Sequence, residues 1–180
     1  MADLYVSWSE YHQQIEQLAA LIYQSGWQFN QIICLARGGL RVGDVLSRIY
    51  QQPLAILATS SYGGTNGQER HQWTASQEMT FTTHLGNRIL LVDDLVDSGI
   101  TLEQTLIWLK QRYGPDIEDI RTAVLWYKAC SKIEPHFFVK YLAENPWIHQ
   151  PFESYEAIDI EALSQKYAAI DLSTPRASCS

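Results

Sequence analysis

The sequence predicts an α/β protein built on a mainly parallel, doubly wound sheet. Three observations predict this fold. Short apolar runs of strand length alternate with longer segments whose apolar residues recur at helical spacing. The run from Ile89 to Val92 is uninterrupted, which is typical of a strand buried on both faces. The 180 residues are enough for one such domain with a core and too few for two.

The first part of the chain alternates helices and strands. A capping box begins at Ser7, and apolar residues at helical spacing behind it predict a helix that ends near Gly26. Residues 31–36 are expected to form a buried strand that runs into a glycine-rich turn. A second helix should end before Pro53, and residues 54–59 should form the second strand.

A long polar stretch, residues 62–87, interrupts this alternation. It is rich in Gly, Thr, Gln and His, and its apolar residues are sparse. A polar stretch of this length inside a small domain is typical of a functional loop or a mobile hairpin.

The remaining chain returns to the strand and helix pattern. Three strands are expected at 88–92, 121–127 and 137–142, a helix at 101–113, and an amphipathic segment at 155–169. The order of strands and helices again favours a parallel sheet.

The composition excludes several classes of protein. A net charge of −7 without a cluster of Lys and Arg argues against binding to nucleic acid or a membrane surface. No secretory signal or membrane-spanning run is expected. The three widely spaced cysteines argue against a disulfide framework and favour a cytoplasmic location. An acidic protein that binds a polyanion must concentrate positive charge locally or recruit a divalent cation.

Acidic residues follow the third strand directly. Asp93 and Asp94 stand where ligands bind in open α/β sheets, and such paired carboxylates are typical of cation or hydroxyl binding. Residues 97–101, Asp-Ser-Gly-Ile-Thr, form a turn into a helix, whose backbone amides can hold a phosphate. Three Asp with Ser-Gly-x-Thr are more than a simple helix cap requires. This combination predicts a ribose 5-phosphate site.

Two other phosphate-related motifs fit the strand end less well. The residues Asp93–Asp97 also match the aspartate-rich magnesium motif of prenyl-chain synthases, but that motif lies on a helix of larger all-helical proteins. The P-loop pattern G-x-x-x-x-G-K-[ST] does not occur in the sequence. Neither motif therefore explains the strand end.

The strand end resembles the signature with which type I phosphoribosyltransferases bind phosphoribosyl pyrophosphate (PRPP). Further stretches match in the same order. Leu35–Leu40 resembles the pyrophosphate loop of the 6-oxopurine enzymes, and Ser60–Tyr62 is similar to the start of their mobile loop. Trp147–Glu153 resembles the base-binding end of the bacterial xanthine-guanine enzyme. The resemblance covers about residues 4–153 and implies a small hood region and a mobile loop beside the sheet.

The resemblance implies a role for each matching residue at the PRPP site. Asp97 would be the general base near N7 of the purine, and Arg37 would stabilise the leaving pyrophosphate. The ribose and 5-phosphate would be bound by Asp93, Asp94, Asp97, Ser98, Gly99, Ile100 and Thr101. The pyrophosphate would be bound by Ala36, Arg37, Gly38, Gly39 and Arg70, with a strained or cis peptide near Ala36–Arg37. The metal positions would be Asp93, Asp94 and Glu153.

The base would meet a second group of residues. Lys128 would contact the exocyclic oxygen of a 6-oxopurine, Trp147 would stack on the ring, and Ile148 would supply backbone contacts. One departure from the xanthine-guanine enzyme is the loop after Arg70, where His71-Gln72-Trp73 replaces a basic run.

The sequence thus predicts a phosphoribosyltransferase domain at 1–153 and a C-terminal extension at 154–180. The expected reaction joins guanine, xanthine or hypoxanthine to PRPP with Mg²⁺, in a homodimer or homotetramer. Two alternatives stay open: a regulatory protein of the same fold that senses PRPP or nucleotides, and a phosphoribosyltransferase for another base.

Overall fold

The computed structural model describes residues 3–62, 72–81 and 84–168. The elements in this part of the chain are, in order, β1 (Leu4–Tyr5), α1 (Trp8–Gln24), β2 (Gln31–Ala36), α2 (Gly39–Tyr50), β3 (Leu54–Tyr62), β4 (Gln72–Ala75), β5 (Arg88–Val92), β6 (Leu95–Val96), α3 (Ile100–Tyr113), β7 (Asp119–Lys128), β8 (Phe137–Leu142), β9 (Ile148–His149) and α4 (Ile160–Lys166). Two 3₁₀ turns lie at Gly114–Asp116 and Glu153–Ala157.

The main sheet is parallel apart from one hairpin, as the sequence predicted. Its strand order is β4-β3-β2-β5-β7, with β6 and β8 also pairing to β7. Only β3 and β4 pair in antiparallel fashion among these described strands. The hairpin lies at one end of the polar stretch, and residues 63–71 between its strands are outside the described residues.

The core lies on both faces of the sheet, because alternate residues of each central strand point to opposite sides. On β5, Leu90 and Val92 pack with residues of α1 and α2. Ile89 and Leu91 pack on the other face with residues of α3. All four side chains are fully buried, which confirms the prediction of a strand covered on both faces.

The start of α1 confirms the predicted capping box. Ser7 Oγ accepts a hydrogen bond from the Glu10 amide at 3.2 Å, and the Glu10 carboxylate accepts one from the Ser7 amide at 2.8 Å. After the helix, Gly26 adopts a left-handed backbone with φ of 71°, which favours glycine. The chain then turns back toward β2.

A small parallel sheet joins the N-terminus to the segment that resembles the base-binding end. β1 pairs with β9 through Leu4 and Ile148. The amide of Leu4 donates to the carbonyl of Trp147 at 2.8 Å, and the amide of Val6 donates to the carbonyl of His149 at 3.0 Å. These bonds fix the backbone on both sides of Ile148.

The amphipathic segment predicted at 155–169 contains two short elements in the described chain. A 3₁₀ turn ends at Ala157, and α4 begins anew behind the Asp159 side chain, which accepts from the Glu161 amide. Neither element buries a side chain, and Ile160 is 72% exposed. The apolar side chains of this segment are therefore largely exposed in the described chain, and Leu163 is partly buried. None of the described helices is long and apolar enough to cross a membrane.

Candidate active site

Three turns meet at the carboxyl edge of the sheet. β2, β5 and β7 are parallel neighbours, so the residues that follow them lie side by side. These residues are the Ala36–Arg37 turn, the Asp93–Asp94 pair and the end of β7 at Lys128. The structure thus brings together the three motifs that the sequence singled out separately.

Asp93 and Asp94 are held in place by the neighbouring strand. The Asp93 amide donates to the Ala123 carbonyl at 3.1 Å, and the Asp94 carbonyl accepts from the Leu125 and Trp126 amides at 3.0 and 3.2 Å. Burial, followed by the negative charge of Asp94, raises the pKa of the Asp93 carboxyl well above its usual range. The pair is therefore suited to bind a proton, a cation or hydroxyl donors.

The turn after β2 lies against these carboxylates. The Ala36–Arg37 peptide bond is cis, as predicted for this position. A Cβ at Gly38 would collide with the Asp94 carboxylate, and a Cβ at Gly39 would lie 2.5 Å from the carbonyl oxygen of Val92. A side chain at Gly39 would clash with backbone, and one at Gly38 would displace the Asp94 carboxylate, so glycine at these two positions lets the turn pack directly against the end of β5.

A cavity of about 450 Å³ opens beside the pair and is lined by residues 93–102. Gly99 lies at the start of α3 with φ of 82°, and no side chain caps this helix end. The first amides of α3 therefore stay available to a ligand, apart from a 3.4 Å bond from the Ile100 amide to Ser98 Oγ. A helix start of this kind favours anions such as phosphate.

Lys128 and Asp97 form an ion pair at the edge of this cavity. Lys128 Nζ lies 3.0 Å from Asp97 Oδ2, and the Lys128 side chain is only 5% exposed. The Cys130 thiol lies 3.3 Å from the other carboxylate oxygen of Asp97. Burial, with the bond to Asp97, raises the pKa of Cys130, so the thiol keeps its proton at neutral pH and can donate. No local pattern marks Cys130 as a site residue, apart from its position two residues after Lys128.

Trp147 projects from the surface next to the short sheet, with 64% of the residue exposed. An indole in the core would be covered, so this position is compatible with a ring that meets a ligand. The following residue, Ile148, is buried at 5% exposure.

Arg37 and Glu153 each contact a polar side chain outside the cavity beside Asp93 and Asp94. Arg37 Nη2 lies 3.5 Å from Glu156, and Glu153 lies 3.7 Å from Nδ1 of His149. A second cavity, also of about 450 Å³, lies between the Arg37 turn and the residues after Phe152. Arg41, which the sequence reasoning missed, lines this cavity with its guanidinium carbon 4.1 Å from the centre of the Phe152 ring.

The residues proposed for the metal are not grouped as a preformed cage. In residues 3–62, 72–81 and 84–168, no three His, Cys, Asp or Glu side chains are placed to hold one ion. Asp93 and Asp94 are adjacent, and Glu153 is paired with His149. Arg70, predicted to close over the pyrophosphate, lies outside the described residues.

Gln150 and Tyr11 are further neighbours of Asp94 that the sequence reasoning missed. Gln150 Nε2 donates to Asp94 Oδ2. Burial, and then the negative charge of Asp94, raises the pKa of the Tyr11 phenol, so this hydroxyl stays neutral. Their distance from Asp94 along the chain is the reason that no local motif revealed them.

Known proteins resemble this chain over most of its length. The xanthine-guanine phosphoribosyltransferase of Idiomarina loihiensis is 29% identical over 154 residues, which cover 85% of this chain and 88% of that protein. The crystal structure of a purine phosphoribosyltransferase from Pyrococcus horikoshii is 26% identical, with a TM-score of 0.70, and the match covers 88% and 99% of the two chains. The xanthine-guanine-hypoxanthine phosphoribosyltransferase of Helicobacter pylori has the same fold, with a TM-score of 0.70, 24% identity and coverage of 91% and 99%.

A family model also matches most of the chain. Residues 7–157 match the family described as the phosphoribosyl transferase domain, and they include every motif at the carboxyl edge of the sheet. The chain belongs to the phosphoribosyl transferase domain family.

Proposed function

We propose that this protein transfers the phosphoribosyl group of PRPP to a 6-oxopurine, giving a nucleoside 5′-monophosphate and pyrophosphate. The observation that carries the proposal is the Lys128–Asp97 ion pair at the edge of the phosphate-binding cavity. A buried cation and an exposed carboxylate there match the two polar groups that a 6-oxopurine presents on one edge, O6 and N7.

PRPP would lie along the carboxyl edge of the sheet. The amides at the start of α3, with Ser98 and Thr101, would bind the 5-phosphate. Asp93 and Asp94 would accept hydrogen bonds from the ribose hydroxyls. The pyrophosphate would lie against the glycine turn with Arg37, whose present partner, Glu156, is itself exposed and easily exchanged.

The proposed roles of the chain's own residues follow from the charge that develops in the reaction. The bond from C1′ to the pyrophosphate oxygen breaks, and its electron pair leaves with the pyrophosphate. A purine nitrogen supplies the electron pair of the new bond to C1′. Asp97 would take the proton that the purine loses, and Asp94 would face the positive sugar.

The carboxylate pair fits a divalent cation that arrives with PRPP. Mg²⁺ in proteins is commonly held by one or two carboxylates together with substrate phosphates and waters, so a preformed cage is not required. The raised pKa of Asp93 supports this assignment, because a cation beside it would compensate the neighbouring charge of Asp94. When bound, Mg²⁺ would stabilise the negative charge on the leaving pyrophosphate. Asp93 and Asp94 would hold it, with Glu153 as a further candidate.

Lys128 and Trp147 support a purine with an oxygen at C6. The Lys128 ammonium can donate to O6, whereas the amino group of adenine offers it no comparable acceptor. The exposed indole of Trp147 supplies a flat surface for the ring. The names of the relatives, xanthine-guanine and purine phosphoribosyltransferases, support the same class of base.

A regulatory protein that senses PRPP or nucleotides is the second candidate. It would need the phosphate cavity and would have no need of the Lys128–Asp97 pair. The net charge of −7 argues against the nucleic-acid-binding form of such a protein. A transferase for a pyrimidine base is a third candidate, and the names of the relatives argue against it.

The test is nucleotide formation from PRPP and Mg²⁺ with guanine, xanthine, hypoxanthine, adenine and uracil in separate reactions. Product with one or more 6-oxopurines, and little with adenine or uracil, is the expected result. Tight PRPP binding without turnover of any base would favour the regulatory protein. The predicted homodimer or homotetramer, in a cytoplasmic setting, is part of the proposal and is tested by light scattering on a size-exclusion column and by cell fractionation.

A further inference from the structure

Gln150 holds one oxygen of the Asp94 carboxylate. Its amide nitrogen Nε2 donates a hydrogen bond to Asp94 Oδ2. The other oxygen, Oδ1, faces Gly38, where a Cβ would collide with it. Because an ionised carboxylate only accepts hydrogen bonds, the amide nitrogen of Gln150 must face Asp94 and its carbonyl oxygen must point away. The Asp94 carboxylate is therefore held by Gln150 at one oxygen and lies close to the glycine turn at the other.

The other end of the Gln150 amide, its carbonyl oxygen, is also buried. Its Oε1 is buried and has no hydrogen-bond partner in the part of the chain that the structure describes. The same is true of two buried donors, the Tyr11 hydroxyl and the Trp126 indole N–H. The Tyr11 ring lies 6.0 Å from the Trp126 ring and 5.8 Å from the ring of Phe152, two residues beyond Gln150.

One buried acceptor and two buried donors are thus without partners among the described residues, and the backbone amide of Trp126 donates to the carbonyl of Asp94. Buried polar groups in folded proteins are almost always hydrogen-bonded, either directly or through ordered water. A bond or a shared water between Gln150 and Tyr11 would keep the amide in the orientation that donates to Asp94. The orientation of the Asp94 carboxylate would then depend on Gln150, and the orientation of the Gln150 amide would depend on Tyr11.

Gln150 also belongs to the base-binding segment. It directly follows β9, and it lies three residues after Trp147. The backbone of this segment is fixed by the hydrogen bond from the Val6 amide to the His149 carbonyl. A shift of the segment would therefore move the donor that holds Asp94.

We propose that Gln150 is a positioning residue that orients Asp94 for the ribose of PRPP. This inference rests on the proposed function, since it assumes that Asp94 meets the ribose. Its distinguishing consequence is that loss of the Gln150 amide weakens PRPP binding and leaves the affinity for the base almost unchanged.

The first experiment compares Gln150→Met with the wild-type protein. Methionine has a similar length and cannot donate. The KM for PRPP should rise about 3- to 10-fold, less than for loss of a direct hydrogen bond to a charged group, because Gln150 acts on PRPP only through Asp94. The KM for the base should change less than about twofold. Calorimetric titration with Mg²⁺ and PRPP should show the same loss of affinity without turnover. Gln24→Met, at the exposed end of α1, is the matched control and should change neither constant.

A second variant separates positioning from general damage to the fold. Tyr11→Phe keeps the ring and removes the hydroxyl that we place beside the Gln150 amide. It should raise the KM for PRPP in the wild-type background and should have little further effect in Gln150→Met. A merely structural effect would lower the melting temperature in both backgrounds and would add to that of Gln150→Met.

The outcomes distinguish this inference from the proposed function. Turnover by the wild type together with unchanged PRPP affinity in Gln150→Met would overturn the inference alone. Additive effects of the two substitutions, or a rise in the base KM alone, would also overturn it. If the wild type turns over no base, the proposed function fails, and the calorimetric comparison still decides whether Gln150 supports PRPP affinity. Absence of PRPP binding by the wild type would overturn both.

Discussion

Lys128 Nζ lies 3.0 Å from Asp97 Oδ2, so the two residues proposed to handle the purine are paired with each other in the structure. Lys128 is almost completely buried, whereas the Asp97 side chain is 54% exposed. A buried ammonium needs an acceptor, and Asp97 supplies it. When the purine enters, O6 can become a new acceptor for Lys128, and Asp97 is then available to take the purine proton. On the proposed function, the pair would thus connect recognition of the base with removal of its proton.

The first prediction concerns Asp97→Asn. Asparagine can still accept from Lys128 through its amide oxygen, so the fold and the PRPP site should persist. It cannot serve as the base, and kcat should fall about 10²- to 10⁴-fold. PRPP affinity should change less than about threefold, because the phosphate contacts remain. Single-turnover kinetics and calorimetric titration with PRPP measure the two quantities.

Asp116→Asn is the matched control, since Asp116 is an exposed aspartate in the turn after α3. It should behave as the wild type does in both measurements. Equal losses of turnover and of PRPP affinity in Asp97→Asn would contradict the assignment of Asp97 as the base.

The second prediction concerns Lys128→Met, which removes the donor to O6 and keeps the length of the side chain. The KM for guanine or hypoxanthine should rise about 10- to 100-fold, the range for loss of a charged hydrogen bond. Discrimination against adenine should fall, because a 6-oxopurine loses a hydrogen bond when Lys128 is removed and adenine does not. Steady-state kinetics with guanine or hypoxanthine, and separately with adenine, give the ratio of kcat/KM for the two kinds of base. Lys132→Met, at an exposed position, should leave that ratio unchanged, and a similar ratio in both variants would disprove the role of Lys128.

The third prediction concerns Trp147→Ala. The side chain is largely exposed, so its loss should barely affect the melting temperature. Loss of a stacking surface should raise the KM for the base about 5- to 150-fold, given about 1–3 kcal/mol for stacking of a base on an aromatic ring. PRPP affinity should stay within about twofold of the wild type. Trp147→Phe should restore most of the affinity for the base. A loss of PRPP affinity in Trp147→Ala would show that the ring does not stack on the base.

The fourth prediction concerns the pH dependence of stability without PRPP or Mg²⁺. The pKa of Asp93 is raised in the folded protein by burial and by Asp94. Above the ordinary aspartate pKa of about 4, the folded state therefore holds a proton that the unfolded state has lost. The stability contributed by this residue falls as pH rises, until the raised pKa is passed.

Asp93→Asn replaces the titrating carboxyl with a neutral amide and provides the comparison. The variant should gain stability relative to the wild type between pH 4.5 and pH 8, in melting curves recorded at matched ionic strength. Asp116→Asn should show no such trend. If the wild type gained stability relative to Asp93→Asn over this range, the raised pKa would be wrong in sign.

Much of the fold could be predicted because the central strands carry a strong local signal. The run Ile89–Val92 is buried on both faces, and its uninterrupted apolar character shows this directly. The two-residue strands β1 and β9 were not predicted, since two residues have no period and pair only through tertiary contacts. The amphipathic pattern near Ile160 indicated a segment without showing what it packs against, because a pattern cannot show whether a partner surface exists.

The candidate site divides in the same way. Asp93, Asp94 and Asp97 were predicted because their chemistry is concentrated in one short segment after a buried strand. Gln150 and Cys130 were missed because their partners lie 56 and 33 residues away along the chain. Such residues acquire their role only when the topology of the sheet brings distant turns together.

The most direct test of the central claim is to measure both products of one reaction. Guanine, PRPP and Mg²⁺ are incubated with the wild-type protein, and GMP and pyrophosphate are quantified in the same samples over time. Transfer to the base predicts equal amounts of the two, with no pyrophosphate formed when every base is omitted. Pyrophosphate without nucleotide, or neither product despite bound PRPP, would contradict the assignment of this site to purine phosphoribosyl transfer.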